Sequence, residues 1–90
     1  MKRVHILVYG RVHGVFFRHN TNKIAHELGL NGFVRNLADG SVEVVAEGNE
    51  EKLKKLAEFC KKGLFGARVD DIKISFEKPK NEFSGFEIRY

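Results

Sequence analysis

The spacing of apolar residues changes from a period of two to a period of about 3.6 early in this chain. Val4, Ile6 and Val8 alternate with His5, Leu7 and Tyr9, which predicts a β-strand over Val4–Tyr9. From Phe17 the apolar positions instead fall on one helical face, and Gly29 stands where a left-handed C-cap belongs. A helix over Phe17–Leu28 is therefore predicted after the first strand.

The rest of the chain shows a similar succession of patterns. Two strand-like segments flank an Asp-Gly turn, a second helix begins after the N-cap residue Asn49 and ends near Gly63, and two more strands follow. The four predicted strands after the first helix are Gly32–Leu37, Ser41–Glu47, Ile72–Phe76 and Phe86–Tyr90.

This order, β-α-β-β-α-β with a short extra C-terminal strand, is typical of the split βαβ or ferredoxin-like fold of the α+β class. Right-handed crossovers place both helices on one face of an antiparallel sheet. A chain of 90 residues buries only one modest core. We therefore expect one domain over residues 1–90.

The composition of the chain limits where this domain is located and which kinds of site it can form. The longest apolar runs are far shorter than the roughly 20 residues of a membrane span, and the N-terminus lacks the apolar stretch of a signal peptide. A cytoplasmic location without membrane association is therefore expected. Cys60 is the single cysteine, which excludes an intramolecular disulfide and a CxxC site. The net charge of +4 suits an anionic partner without identifying it.

The segment Gly10–Arg18, GRVHGVFFR, has the ingredients of an anion site. Its glycines allow unusual backbone angles and close approach of a ligand, and the loop runs into a helix that lacks a Ser, Thr, Asp or Asn cap before Phe17. Arg18 offers a fork of donors that matches two phosphate oxygens. An ordinary strand-to-helix turn with conformational glycines and a solvated arginine explains the same residues.

Asn36 is an unusual residue for the second predicted strand. In the split βαβ order this strand ends beside the loop that follows the first strand, so Asn36 should lie close to Gly10–Arg18. Its amide could orient an attacking water, as the glutamine of a GTPase does. An asparagine that stabilises the adjacent hairpin turn is the alternative.

Several kinds of chemistry lack their sequence signals. The chain has no Gly-x-Ser-x-Gly elbow, no thiol phosphatase loop after Cys60 and no evident pair of catalytic carboxylates. Its four histidines show no recognised ligand spacing, so we expect neither a metal nor a cofactor. An anion cradle with one Arg and one Asn suits an already activated substrate. An acyl phosphate qualifies, because its carboxylate leaving group has a pKa of about 4.3.

The chain closely resembles the acylphosphatase family. The resemblance is carried by GRVHGVFFR at 10–18 and GFVRNLADGSVE at 32–43, with LGLNG at 28–32, EG at 47–48 and GFEIRY at 85–90. It implies a ferredoxin-like fold and metal-independent hydrolysis of carboxyl-phosphate anhydrides. The implied partners are a small acyl phosphate as substrate and inorganic phosphate as product, with a monomer as the working unit.

The resemblance also implies roles for individual residues. Arg18 matches the phosphate-binding arginine and Asn36 the water-orienting asparagine. Backbone N–H groups match the cradle that binds substrate, and they belong to His13, Gly14, Val15, Phe16 and Phe17. His13 stands where the family commonly has Gln, and Phe33 where it commonly has Trp. A protonated imidazole at His13 would favour an anion.

Two other functions use the same fold. The first is a nucleic-acid-binding module, since RNA-recognition domains share this order of elements and the chain is basic. Its sequence support is thin, because Gly32-Phe33-Val34-Arg35 only faintly matches an RNA-binding aromatic motif and lies on the second strand. We therefore expect no nucleic-acid partner. The second is an accessory domain that binds a carbamoyl or acyl phosphate without releasing it quickly.

Overall fold

The computed structural model describes residues 1–14, 16–63 and 67–90. Five strands form one sheet in the order β4-β1-β3-β2-β5, and the predicted ferredoxin-like order of elements is confirmed. Within the described residues, no helix is long and apolar enough to cross a membrane. The elements are β1 (Lys2–Arg11), α1 (Phe17–Glu27), β2 (Asn31–Asn36), β3 (Val42–Gly48), α2 (Glu50–Lys62), β4 (Arg68–Glu77) and β5 (Phe86–Arg89).

The predicted antiparallel sheet is wrong at one edge. β5 pairs with β2 in parallel, with Gly32 opposite Phe86 and Arg35 opposite Arg89. After β4 the chain crosses the sheet to the edge formed by β2. β5 then runs along this edge in the same direction as β2. The strands β1 and β4 are also longer than predicted, because they pair with each other as far as Arg11 and Arg68.

A single layer of side chains between the sheet and both helices forms the core. Val4, Ile6 and Val8 of β1 project from one face of the sheet and are fully buried with Leu53 and Leu56 of α2. Each large aliphatic side chain buried in this way stabilises the fold by about 1.5–3 kcal/mol. Cys60 is part of this core, and burial raises the pKa of its thiol to about 12. Cys60 is therefore a core side chain.

The register of the sheet determines which residues share one end. Val42 of β3 lies opposite Val8 of β1 on one side and opposite Asn36 of β2 on the other. Arg35 lies opposite Arg89, so Tyr90 follows β5 at the level of Asn36. The end of β1, the end of β2 and the residue after β5 therefore lie at the same end of the sheet.

A buried carboxylate holds the segment that delivers β5 to its edge. Glu47 is only 3% exposed. Its carboxylate accepts hydrogen bonds from the Lys80 N–H (2.7 Å), the Asn81 N–H (3.0 Å) and the Arg3 guanidinium (3.1 Å). Burial by itself raises the pKa of Glu47, but these hydrogen bonds outweigh it and hold the pKa below its ordinary value. The negative charge of Glu47 is thus part of the folded state.

Replacing Glu47 with Gln should destabilise the protein by about 2–3 kcal/mol at neutral pH, because buried N–H donors lose a charged acceptor. The lowered pKa of Glu47 means that this stabilisation is complete above the unfolded-state pKa of about 4.3. It is lost as the pH falls through the folded-state value. Urea unfolding of wild type and Glu47→Gln at several pH values between 7 and 3 measures the difference.

Glu87→Gln is the matched control, since Glu87 forms only an exposed pair with Arg89, and exposed pairs contribute about 0–1 kcal/mol. A difference between wild type and Glu47→Gln that stayed constant from pH 7 to pH 3 would contradict this role of the Glu47 charge.

Candidate active site

The two glycines of the predicted phosphate loop have different roles. At Gly10, φ is +136°, and a Cβ there would overlap the backbone carbonyl of Arg68 in β4. The close neighbour of Gly10 is therefore a strand and not a ligand, which corrects the expectation that both glycines admit a ligand. At Gly14, φ is +70° and no atom lies within 4 Å of where a Cβ would stand. Only Gly14 leaves the loop backbone open.

The N-terminus of α1 has no side-chain cap. The N-cap residue is Phe16, whose side chain makes no capping hydrogen bond, and the first turn contains no acidic residue. The Asn20 N–H donates to the Phe16 carbonyl at 3.0 Å, so the N–H groups of Phe17, Arg18 and His19 precede this helical bond. N–H donors that have no acceptor within the helix, together with the positive end of the helix dipole, form a site for an anion.

The second helix shows the usual arrangement. Asn49 caps α2 by accepting hydrogen bonds from the N–H groups of Glu51 (2.9 Å) and Lys52 (3.4 Å). Glu50 and Glu51 place negative charge in its first turn, where it interacts favourably with the dipole. The structure therefore agrees with both predictions, a capped α2 and an uncapped α1.

Backbone strain is concentrated at the start of α1. Phe16 has φ 59° and ψ 20°, which is the left-handed region. A residue with a Cβ is about 1–2 kcal/mol less stable there than in the right-handed region. Such strain clusters at functional sites, where the surrounding structure imposes it. Val15, the other central residue of the predicted cradle, lies outside the described residues.

Arg18 lies in a cavity at this uncapped helix end. Its guanidinium carbon lies 4.9 Å from the centre of the Tyr90 ring, and no ion pair joins Arg18 to a carboxylate in the part of the chain that the structure describes. The cavity measures about 330 Å³, near the lower end of the roughly 300–1,000 Å³ of small-molecule sites. Its lining consists of Val12, Gly14, Phe16, Phe17, Arg18, His19, Ile88 and Tyr90.

Asn36 ends β2 at the same end of the sheet. Asn36 lies two residues after the core residue Val34 in the same strand, so both side chains project from the same face of the sheet. This is the face that the helices cover. Its Oδ1 is buried and, within the described residues, has no hydrogen-bond partner. Asn36 does not line the cavity of Arg18 among the residues described there. The structure thus brings Asn36 to the predicted end of the sheet without placing it in that cavity.

The hairpin turn after Asn36 is stabilised by another residue. Asp39 Oδ1 accepts hydrogen bonds from the Ser41 N–H (2.9 Å) and the Ser41 hydroxyl (2.5 Å). The hydrogen bonds from the hydroxyl and the backbone of Ser41 lower the pKa of Asp39, although burial opposes them. The alternative role considered for Asn36, stabilising this turn, is performed by Asp39.

His13 connects the two halves of the site. Its Nε2 lies 2.8 Å from the Ser41 carbonyl oxygen, and this oxygen also accepts a hydrogen bond from the Leu37 N–H at 2.8 Å. A protonated Nε2 donates to that carbonyl. The side chain of His13 is therefore directed to the hairpin that follows Asn36, a role that the sequence did not indicate.

Two cavity residues near the end of the chain, Ile88 and Tyr90, were also not predicted. Both reach the site because β5 runs parallel to β2, and the local pattern of β5 carries no information about strand direction. Their apolar alternation predicted the strand and nothing more. In the described part of the chain, no group of three His, Cys, Asp or Glu side chains could hold a metal ion.

Comparison with known proteins gives the family. The acylphosphatase family model matches residues 4–88. The chain belongs to the acylphosphatase family. An acylphosphatase of Syntrophobacter fumaroxidans is 44% identical over 89 residues, 99% of this chain and 92% of that protein. The acylphosphatase of Aeropyrum pernix is 48% identical over 89 residues, 98% of this chain and 88% of that one.

Solved acylphosphatase structures have the same fold. The crystal structure of acylphosphatase from Bacillus subtilis matches with a TM-score of 0.95 and 37% identity over all of both chains. The predicted family and the predicted enzyme class, acylphosphatase, are therefore confirmed.

The link between His13 and Ser41 leads to a prediction. His13→Ala should lower the free energy of unfolding by about 1 kcal/mol, because the Ser41 carbonyl loses one of its two donors. His13→Gln should retain most of this stability, since a Gln amide N–H can donate to the same oxygen. Urea unfolding of the three proteins measures both effects. Equal losses in His13→Ala and His13→Gln would contradict a stabilising hydrogen bond at this position.

Proposed function

We propose that this protein hydrolyses acyl phosphates to a carboxylate and inorganic phosphate without a metal ion. The observation that carries the proposal is the uncapped N-terminus of α1, which places free N–H donors beside an arginine that has no carboxylate partner among the described residues. This arrangement favours a dianionic group.

Binding of the phosphoryl group is assigned to the loop and the start of α1. In the proposed complex, N–H groups from His13, Gly14, Val15, Phe16 and Phe17 donate to the phosphoryl oxygens. The Arg18 guanidinium donates to two of these oxygens in a bidentate pair. The ring of Tyr90 lies against Arg18 and would restrict the rotamers that the guanidinium adopts. Ground-state binding and charge stabilisation in the transition state both come from these groups.

The attacking water is assigned to Asn36. Its buried Oδ1 is an acceptor without a described partner, and such an orphaned group calls for an explanation such as a water or a catalytic role. In the proposed step the Asn36 amide orients a water in line with the acyl oxygen. A new P–O bond forms from water, the P–O bond to the acyl group breaks, and the carboxylate leaves with the electron pair. A phosphoryl oxygen of the substrate takes the proton of the water.

No metal or general acid is needed in this scheme. The leaving carboxylate has a pKa of about 4.3, so it departs without being protonated. Arg18 and the helix N-terminus supply the positive charge that a metal supplies in other phosphoryl transfer enzymes. Since the loop before α1, α1 itself, β2 and the residue after β5 supply all the groups from one chain, residues 1–90 would work as one domain and as a monomer.

The open face of the sheet argues against the nucleic-acid alternative. Two arginines of this face, in β2 and β5, are paired with carboxylates, Arg35 with Glu43 at 2.6 Å and Arg89 with Glu87 at 3.0 Å. Phe33 on this face is only 8% exposed, so its ring is not available to stack on a base. Proteins that bind single strands need exposed aromatic rings beside free cations.

The variants Arg18→Ala and Asn36→Ala test the two roles separately, with phosphate release from acetyl phosphate measured in the presence of EDTA. Arg18→Ala should lower kcat/KM by at least about 100-fold, since a bidentate, charge-assisted contact is lost. Asn36→Ala should lower kcat by about 100-fold with a smaller change in KM, because it acts on the water and not on phosphate binding.

Arg68→Ala and Asn22→Ala are the matched controls for these variants. Arg68 forms an exposed pair with Asp70, and Asn22 also has a buried Oδ1 without a described partner but does not line the cavity. Both should retain wild-type kinetics. Full activity of Arg18→Ala or of Asn36→Ala would defeat the role given to that residue. If the wild-type protein binds acetyl phosphate in competition with inorganic phosphate but does not hydrolyse it, the protein is instead an accessory binding domain.

A further inference from the structure

One backbone oxygen lies between the loop before α1 and the strand that carries Asn36. The Ser41 carbonyl oxygen accepts a hydrogen bond from the Leu37 N–H, directly after Asn36, and another from His13 Nε2, directly before Gly14. Both donors lie 2.8 Å from this oxygen. Ser41 is only 1% exposed, so these hydrogen bonds are shielded from water, which strengthens them. The neighbours of Asn36 and of Gly14 are therefore joined through a single acceptor.

The loop before α1 is anchored at both ends but is exposed at Gly14 and Phe16. Val12 and Phe17 are buried core residues, whereas no atom lies within 4 Å of where a Cβ of Gly14 would stand. Between the two anchors, the side chain of His13 reaches the hairpin that follows β2. It therefore constrains the distance between the N–H groups of the loop and the end of β2.

We propose that His13 is a positioning residue for hydrolysis, whose imidazole holds the Asn36 amide at the correct distance from the phosphoryl group bound by the loop. This inference rests on the proposed function. In-line attack requires that the water on Asn36 and the phosphorus on the loop be aligned, and a misplacement of about 1 Å can lower a rate about 100-fold. The imidazole itself contacts neither reactant in this scheme. It acts through Asn36, while the backbone N–H of His13 stays in the cradle.

A second histidine makes the same kind of hydrogen bond far from the site. His26 Nε2 lies 2.9 Å from the Phe86 carbonyl oxygen and joins α1 to β5. Phe86 lies opposite Gly32, near the start of β2, whereas Asn36 ends that strand. A carbonyl oxygen can only accept, so Nε2 of His13 and of His26 each donates its proton. His26→Ala is therefore a matched control for the loss of such a bond and of the stability that it provides.

The test is a double-mutant cycle between His13 and Asn36, with kcat and KM measured for acetyl phosphate at a temperature at which every variant is folded by circular dichroism. His13→Ala, and His13→Leu, which retains apolar packing, should each lower kcat about 10-fold and leave KM within about 2-fold of wild type. His13→Gln should recover kcat to within about 3-fold of wild type, because its amide N–H can donate to the same carbonyl.

In the Asn36→Ala background, His13→Ala should change kcat by less than about 2-fold, since the group that it positions is absent. His26→Ala should retain wild-type kinetics. Three results would each overturn this inference: the same fold-loss from His13→Ala in both backgrounds, wild-type kcat in both His13→Ala and His13→Leu, or an equal loss in His26→Ala. With a low kcat in Asn36→Ala, each of them leaves the proposed function intact. Full activity of Asn36→Ala would overturn the proposed role of Asn36, and this inference with it.

Discussion

The proposed site depends on one constraint, the uncapped N-terminus of α1. A helix of this size normally has its first N–H groups satisfied by a side chain, as Asn49 does for α2. At α1 the cap position holds a strained phenylalanine, and the first turn carries Arg18 where the dipole favours a negative charge. A bound anion explains both the missing cap and the position of Arg18 in the first turn. The backbone donors, the guanidinium and the strained cap are thus explained by one ligand class.

The sheet places the other groups around this helix end. Gly10 lets β1 run against the backbone of β4 until the chain turns toward α1, and His13 ties that turn to the hairpin after Asn36. Asn36 shares a level of the sheet with Val8, and the parallel β5 brings Tyr90 to the same level. The proposed phosphate cradle, the water-directing amide and the Tyr90 ring against Arg18 therefore come from three separated segments that meet at one end of the sheet.

Much of this could be predicted from the sequence because the decisive signals are local. The alternation from Val4 to Val8, the cap at Asn49 and the missing cap before Phe17 each depend on neighbouring residues. The parallel direction of β5, the contact between Gly10 and β4 and the bond from His13 to Ser41 all join distant segments. Local patterns do not encode such pairings, so the position of Tyr90 in the cavity and the roles of Gly10 and His13 were not predicted.

The N-terminus of α1 can be tested directly as the phosphate site by titrating ¹⁵N-labelled protein with inorganic phosphate and following the amide signals by NMR. We expect the largest shifts at Gly14, Phe16, Phe17 and Arg18, which belong to the proposed phosphate cradle. The signals of Glu51 and Lys52, at the capped start of α2, should stay in place. Shifts concentrated at α2 or on the open face of the sheet, or no response to millimolar phosphate, would contradict a phosphate site at the N-terminus of α1.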